Sequence, residues 1–218
     1  MKPHQFGDLS IEAVVENAGI AMPFAEFLPG VDAQMLLAEK AWLVPRFADA
    51  ALQNGILSFH SYLLRTPEHN ILIDTCMGND KERGGHAAFH QLRTPWLQNL
   101  AAAGLAPEQI DYVMCTHMHA DHIGWNTRLS EGRWVPTFPN ARYVFARREY
   151  DLTVEAAPGH TPGNIVIQLR SGEQPAVLSG DVVHHPMQIC YPEHSAVFCE
   201  DPAESARCRQ RFVERYAD

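Results

Sequence analysis

Three imidazoles and one carboxylate fall within the six residues from His117 to His122, in the run Thr116-His117-Met118-His119-Ala120-Asp121-His122. Neutral imidazole and carboxylate suit a borderline divalent cation such as zinc, and a catalytic zinc keeps one position open for water. On extended backbone, residues two apart point to the same side, so His117 and His119 can grip one ion together. Asp121 and His122 lie beyond them on the turn and can aim at a neighbouring ion, which makes a two-metal arrangement feasible from one loop. The plainer alternative, a solvated polar turn, gives no reason for so many donors in so short a stretch.

Two later loops carry donors of the same kind. Ala157-Pro158-Gly159-His160-Thr161-Pro162-Gly163 is a rigid turn whose glycines permit close backbone approach and whose centre holds one imidazole. Ser179-Gly180-Asp181 ends an apolar run with a carboxylate that could bridge two cations. Taken singly, either is equally well a structural turn.

Strands and helices must deliver these loops. Ile110, Tyr112 and Met114 alternate with Asp111, Val113 and Cys115, and predict a strand that ends at the histidine cluster. Leu9 to Val15 alternates likewise, and Ser58 to Arg65 with Asn70 to Asp74 reads as a hairpin around Thr66-Pro67-Glu68-His69. Further strands are expected at 142–146, 152–156, 164–169 and 176–179. Thr94 with Pro95 predicts a helix start with Thr94 as N-cap, Trp96, Leu97 and Leu100 share one face, and Gly104 suits the residue past its end. Asp201, Pro202 and Glu204 predict a capping-box start to a last helix, whose apolar side carries Cys208, Phe212, Val213 and Tyr216. Residues 20–55 are irregular apart from a short helix near Asp32 to Lys40, yet they hold Phe24, Phe27, Leu28, Met35, Leu36, Trp42 and Phe47. Ordinary core is the plain reading; the alternative is an extension that covers a site or forms a homodimer interface. Strands in runs with helices between and after them suggest sheets covered by helices, an α/β (α+β) layer structure.

Composition narrows the function. The 218 residues are 46% hydrophobic and 20% charged, enough for a substantial core in a single domain over 1–218. A formal net charge of −9 leaves no basic stripe for phosphates, so no nucleic-acid partner is expected. Residues 1–7 hold no apolar core of a leader, and nowhere do about eighteen apolar residues run together, so the expectation is a soluble cytoplasmic protein with no membrane partner and a small-molecule substrate. Five cysteines without a Cys-x-x-Cys pair fit reduced, buried thiols better than disulfides.

The His-x-His-x-Asp-His cluster, the Pro-Gly-His-Thr-Pro-Gly turn and the Ser-Gly-Asp strand end, in this order, resemble the metallo-β-lactamase superfamily from Ile56 onward, with Asp74 of Leu72-Ile73-Asp74-Thr75 matching the family's early buried aspartate. The resemblance implies an αββα sandwich of two mixed β-sheets with helices on the outer faces and a dinuclear site at one edge. It also implies two divalent ions, zinc first and iron or manganese as alternatives. His117, His119 and His160 would hold the first, Asp121 and His122 the second, and Asp181 both. The family usually supplies one more histidine to the second metal from a loop near the C-terminus. His184, His185 and His194 are the candidates here, with second-shell or surface positions as their plainer reading. The last helix ends near Asp218, where that loop would follow, and the Tyr150-Asp151 junction brings two metal loops unusually close in sequence. We therefore expect stretches of the natural polypeptide to be missing, and an intact mass equal to that of these 218 residues would refute this.

The implied chemistry is hydrolysis. Paired cations would lower the pKa of bound water from about 15.7 towards 7, and Asp121, the expected catalytic residue, would orient the resulting nucleophile and take its proton. One zinc β-lactamase subgroup places cysteine where Asp181 stands, glyoxalase-type thioesterases commonly carry histidine where Asn164 stands, and nuclease members carry an inserted domain and a basic face. What remains resembles the quorum-quenching lactonases and methyl-parathion-hydrolase-like enzymes, which act on lactones, carboxylic esters or phosphotriesters. Lactonases often have tyrosine where His184 falls. Asp74, Trp125, His184 and His185 are the candidate second-shell or substrate-binding residues, with Phe24, Phe27 and Trp125 as an apolar pocket wall or simply core. Two alternatives stand beside the hydrolase: a mononuclear iron redox enzyme resembling persulfide dioxygenases, and a metal-binding relative without catalysis.

Overall fold

The computed structural model describes residues 3–84, 87–145, 154–171 and 173–216. In chain order the elements are β1 (His4–Phe6), β2 (Leu9–Pro23), α1 (Phe24–Phe27), α2 (Ala33–Ala38), α3 (Lys40–Leu43), β3 (Asn54–Arg65), β4 (Asn70–Ile73), α4 (Trp96–Ala102), β5 (Tyr112–Cys115), β6 (Thr127–Ser130), β7 (Arg133–Pro136), β8 (Arg142–Phe145), β9 (Val154–Ala156), β10 (Ile165–Ser171), β11 (Gln174–Leu178), α5 (Met187–Cys190) and α6 (Pro202–Tyr216). The chain is mixed α/β, with one six-stranded sheet in the order β1-β2-β3-β4-β5-β8, one three-stranded sheet in the order β11-β10-β9 and the hairpin β6-β7. Of the strands expected at 142–146 and 152–156, residues 146, 152 and 153 lie outside the described residues. No helix among the described residues is long and apolar enough to cross a membrane.

The chain divides into two compact units. The first comprises Met1–Ala18, Ser58–Ala146 and Leu169–Ala176. Its six-stranded sheet is mixed: β3 and β4 pair antiparallel with Leu64 opposite Ile71, whereas β5 lies parallel to both β4 and β8. Parallel neighbours on each side explain why β5 reads as Tyr-Val-Met-Cys, with Val113 fully buried. Trp96 and Leu100 of α4 pack into this unit's core with Val14, Leu63, Leu72, Ile110 and Phe138. Trp96 also stacks on Trp125 at 5.3 Å between centroids. Thr94 does not cap α4: the helix begins after Pro95 without a side-chain cap, and the Thr94 hydroxyl donates to Asn79 Oδ1 at 3.1 Å instead. Gly104 does follow the helix with φ +89. Sequence analysis passed over the hairpin β6-β7, whose turn residues Glu131 and Gly132 both have positive φ.

Glu16 of β2 is the organising polar group of this unit. It is 5% exposed, yet its carboxylate accepts from the Met77 N–H (2.8 Å), the Gly78 N–H (3.0 Å) and Trp125 Nε1–H (2.7 Å). The loop it holds is packed so closely that a Cβ on Gly124 would lie 2.0 Å from the Met77 carbonyl carbon.

The second unit comprises Gly19–Leu57, Arg147–Gln168 and Val177–Asp218. Phe24, Phe27, Leu28, Leu36 and Leu43 are buried with Met187, Ala196 and Cys199 in one cluster, so most of the large apolar groups of 20–55 form core within this unit. Asp32 caps α2 by accepting from the Gln34 and Met35 N–H groups. The last helix begins similarly, with Asp201 Oδ1 accepting from the Glu204 N–H at 2.9 Å, while Glu204 pairs with Arg207 and Arg211 rather than closing a capping box. Strands β9 and β10 pair antiparallel with Ile165 opposite Ala156, which frames the turn carrying His160.

Candidate metal centre

In the first unit, β5 ends at Cys115 and the chain turns at once into the histidine cluster. Asp74, directly after β4, holds the turn: it accepts from the Thr116 N–H at 2.7 Å and the Thr116 hydroxyl at 2.8 Å. The same carboxylate lies 2.9 Å from His122 Nδ1. A carboxylate can only accept, so Nδ1 carries the hydrogen and Nε2 is left as the lone-pair nitrogen suited to a metal. Asp74 has φ +57, a conformation tolerated by aspartate, and its own N–H is bonded to the Met114 carbonyl at 2.9 Å. Thr75 completes the brace, since its N–H and hydroxyl both donate to the His122 carbonyl.

The donors are gathered rather than splayed. The His117 ring is centred 4.8 Å from that of His119 and 3.9 Å from that of His122. His122 Nε2 and Asp121 Oδ2 are 3.6 Å apart. Two ligands of one tetrahedral zinc are about 3.4 Å apart, from bond lengths of roughly 2.1 Å, so this donor set fits such an ion. Nearby thiols are poor nucleophiles: burial pushes Cys115 up to about 12 and Cys76 well above the usual thiol range.

In the second unit, Gly159 has φ +119, and a Cβ there would lie 2.1 Å from the Ser205 nitrogen. Only glycine lets this turn lie against the first turn of α6, where the Glu200 and Asp201 N–H groups donate to the carbonyls of His160 and Gly159. His160, 1% exposed, places Nε2 3.2 Å from Asp181 Oδ2, and His184 Nε2 lies 3.4 Å from the same oxygen. Burial opposes the charged imidazole of His160, but the Asp181 carboxylate and then Cys199 hold its pKa above the ordinary value. Asn164 bridges the loops, donating to the Ala157 carbonyl at 3.1 Å and accepting from the Asp181 N–H at 3.4 Å.

Against that geometry, residues 57–153 match the Metallo-beta-lactamase superfamily. It is 26% identical over 118 residues to the N-acyl homoserine lactonase AiiB of Agrobacterium fabrum, an alignment covering 48% of this chain and 42% of the relative. It is 33% identical over 124 residues to a hydroxyacylglutathione hydrolase of Aeromonas hydrophila, covering 54% and 42%. The matched stretch thus spans well under half the length of either curated relative. Among solved structures, AidC, a dizinc quorum-quenching lactonase, superposes with TM-score 0.78 at 20% identity over 100% of this chain and 86% of that one. A probable metal-dependent hydrolase from Staphylococcus aureus superposes with TM-score 0.76 at 20% identity, covering 98% and 87%. Both show the fold.

Of the three histidines that the sequence offered as a further ligand, His184 lies beside Asp181, with Nε2 3.4 Å from Oδ2. His185 lies in the core instead: it is 1% exposed, with Nε2 on the Phe47 carbonyl at 2.8 Å and Nδ1 accepting from the Met187 N–H. The His194 ring lies against Gly30, where a Cβ would come within 2.1 Å of Nδ1. Trp125, offered above as pocket wall or core, is 3% exposed and packed on Trp96. Sequence reasoning missed Glu16 and the role of Cys199, and it quoted Thr75 and Asn164 without the hydrogen bonds they make to His122 and to Ala157 and Asp181. Only folding brings these groups to their partners.

Because Asp74 sets the tautomer of His122, Asp74→Asn is expected to weaken zinc retention by about 10–100-fold. Competition against a chromophoric chelator measures this, and an unchanged affinity would show that Asp74 serves the fold alone.

Proposed function

We propose that this chain is a metal-dependent hydrolase of ester-like bonds, in lactones, carboxylic esters or phosphotriesters. The observation that carries the reading is the His117–His122 loop, held by Asp74 and Thr116 so that His122 turns Nε2 outward beside Asp121. His117, His119, Asp121, His122, His160 and Asp181 are the proposed ligands of two divalent cations, zinc foremost. When bound, such cations supply Lewis acidity and make water a nucleophile at neutral pH. Asp121 orients the attacking water and accepts its proton at a carboxylate oxygen. Asp74 keeps the hydrogen of His122 on Nδ1, and Asn164 fixes the backbone of Asp181. A small-molecule substrate is in keeping with the relatives, one named as a lactonase and one as a hydroxyacylglutathione hydrolase.

Metal analysis of protein purified without added metal is the test, followed by turnover of lactone, aryl ester and phosphotriester panels. About two transition-metal equivalents per chain and chelator-sensitive turnover are expected. A chain loaded with two metals that turns over none of these substrates would overturn the reading, and one iron per chain with oxygen consumption would replace it with the redox alternative.

A further inference from the structure

Cys199 has no part in the hydrolysis described above, yet it is 7% exposed and its sulfur lies 3.7 Å from His160 Nδ1. His160, His184 and Cys199 offer donor atoms that all lie within 4.8 Å of one another. One use of the sulfur is as a third ligand; the other is to hold the imidazole. The surroundings favour the second. With His160 Nε2 given to a cation, its hydrogen must sit on Nδ1 and needs an acceptor. His184 Nε2 approaches that nitrogen at 3.1 Å, but it also faces Asp181 Oδ2 at 3.4 Å. In the tautomer that places the His184 hydrogen on Nε2, facing that carboxylate, this nitrogen cannot take another. A cysteine sulfur can accept one hydrogen while donating its own.

That second bond is present. The Cys199 thiol donates to Ser205 Oγ at 3.3 Å, and Ser205 Oγ accepts from Arg209 Nη2 at 2.8 Å. Ser205 and Arg209 are 2% and 0% exposed, and the guanidinium is fastened by the carbonyls of Val182, Pro192 and His194 at 2.7–3.0 Å. The result is a buried strut from Arg209 through Ser205 and Cys199 to His160, anchored on α6.

We propose that Cys199 is the positioning residue of His160, taking the Nδ1–H so that Nε2 is presented for metal. The proposal rests on the reading of His160 as a ligand. Zinc affinity, measured by chelator competition on the full chain, and the melting temperature of the metal-free protein test it in Cys199→Ala, Cys199→Asp and Cys208→Ala. Cys199→Ala should lose about 10–100-fold in affinity. Cys199→Asp, which restores a stronger acceptor, should return to within about threefold of the parent. Cys208→Ala, which removes a buried thiol of α6 away from His160, should leave the zinc affinity unchanged. Should Cys199→Ala fail to fold, Cys199→Val, closer in volume, takes its place.

Equal affinity in Cys199→Ala and the parent would overturn the proposal while leaving the metal reading intact, as would equal losses in the Ala and Asp variants. In the cobalt-substituted parent, no thiolate-to-cobalt charge-transfer band is expected, and a band that disappears in Cys199→Ala would make the sulfur a ligand and overturn the positioning role. A parent chain that takes up no zinc overturns both readings together.

Discussion

Asp121→Asn is expected to lower kcat by about 10²–10⁴-fold while leaving KM nearly unchanged. The substitution keeps the side chain's size and its place beside His122, 3.6 Å from Nε2, but replaces a carboxylate that can hold a proton with an amide that cannot. A group that acts only as the proton is transferred affects the transition state and not the bound substrate, so the loss should fall on turnover. Steady-state kinetics on protein of measured metal content decides the matter. A kcat within about threefold of the parent at full metal loading would remove Asp121 from the reaction, and a loss that tracks lower metal content would make it a ligand only.

The largest stability effect should come from Glu16→Ala. It strips an acceptor from the Met77 and Gly78 N–H groups and from Trp125 Nε1–H, all in a region where water cannot replace it. Stranding several buried donors costs on the order of 3–5 kcal/mol in unfolding free energy. Chemical denaturation measures it, and a loss below about 1 kcal/mol would show that the Cys76–Gly78 loop is held by packing alone.

The same residue sets a pH dependence. Burial raises the Glu16 carboxyl above its ordinary 4.5, outweighing the hydrogen bonds that favour its charged form. The folded chain therefore holds this proton more tightly than the unfolded one. Its contribution to stability is full below about pH 4.5 and is lost as the pH rises through the higher native value. Glu16→Gln, which cannot titrate, should show a shallower decline over that window. Parallel slopes for the two proteins would contradict the argument.

Much of the local architecture was legible in the residues. The alternation from Ile110 to Cys115, the turn between Arg65 and Asn70 and the Asp201-Pro202 start of α6 each depend on a few neighbouring residues, and each has its counterpart in β5, the β3-β4 pair and the last helix. Thr94 misled because its hydroxyl has a choice. A threonine before a proline looks like a cap, but folding brings Asn79 and Glu16 within reach, and those acceptors take the hydroxyl instead. The apolar residues of 20–55 were ambiguous for a different reason: burial against Met187, Ala196 and Cys199 joins segments more than a hundred residues apart, which periodicity does not report.

The sequence by itself determined which atoms are available for chemistry, because His117, His119, Asp121 and His122 are contiguous and their loop follows directly from a strand pattern. Tertiary structure alone decided what state those atoms are in. Asp74 selects the nitrogen of His122 that carries hydrogen, Cys199 stands at the corresponding nitrogen of His160, and the Phe47 carbonyl takes His185 into the core. Each partner is a single hydrogen-bonding group drawn from a distant segment. Such a contact leaves no periodic trace along the chain and exists only once the backbone has closed around it.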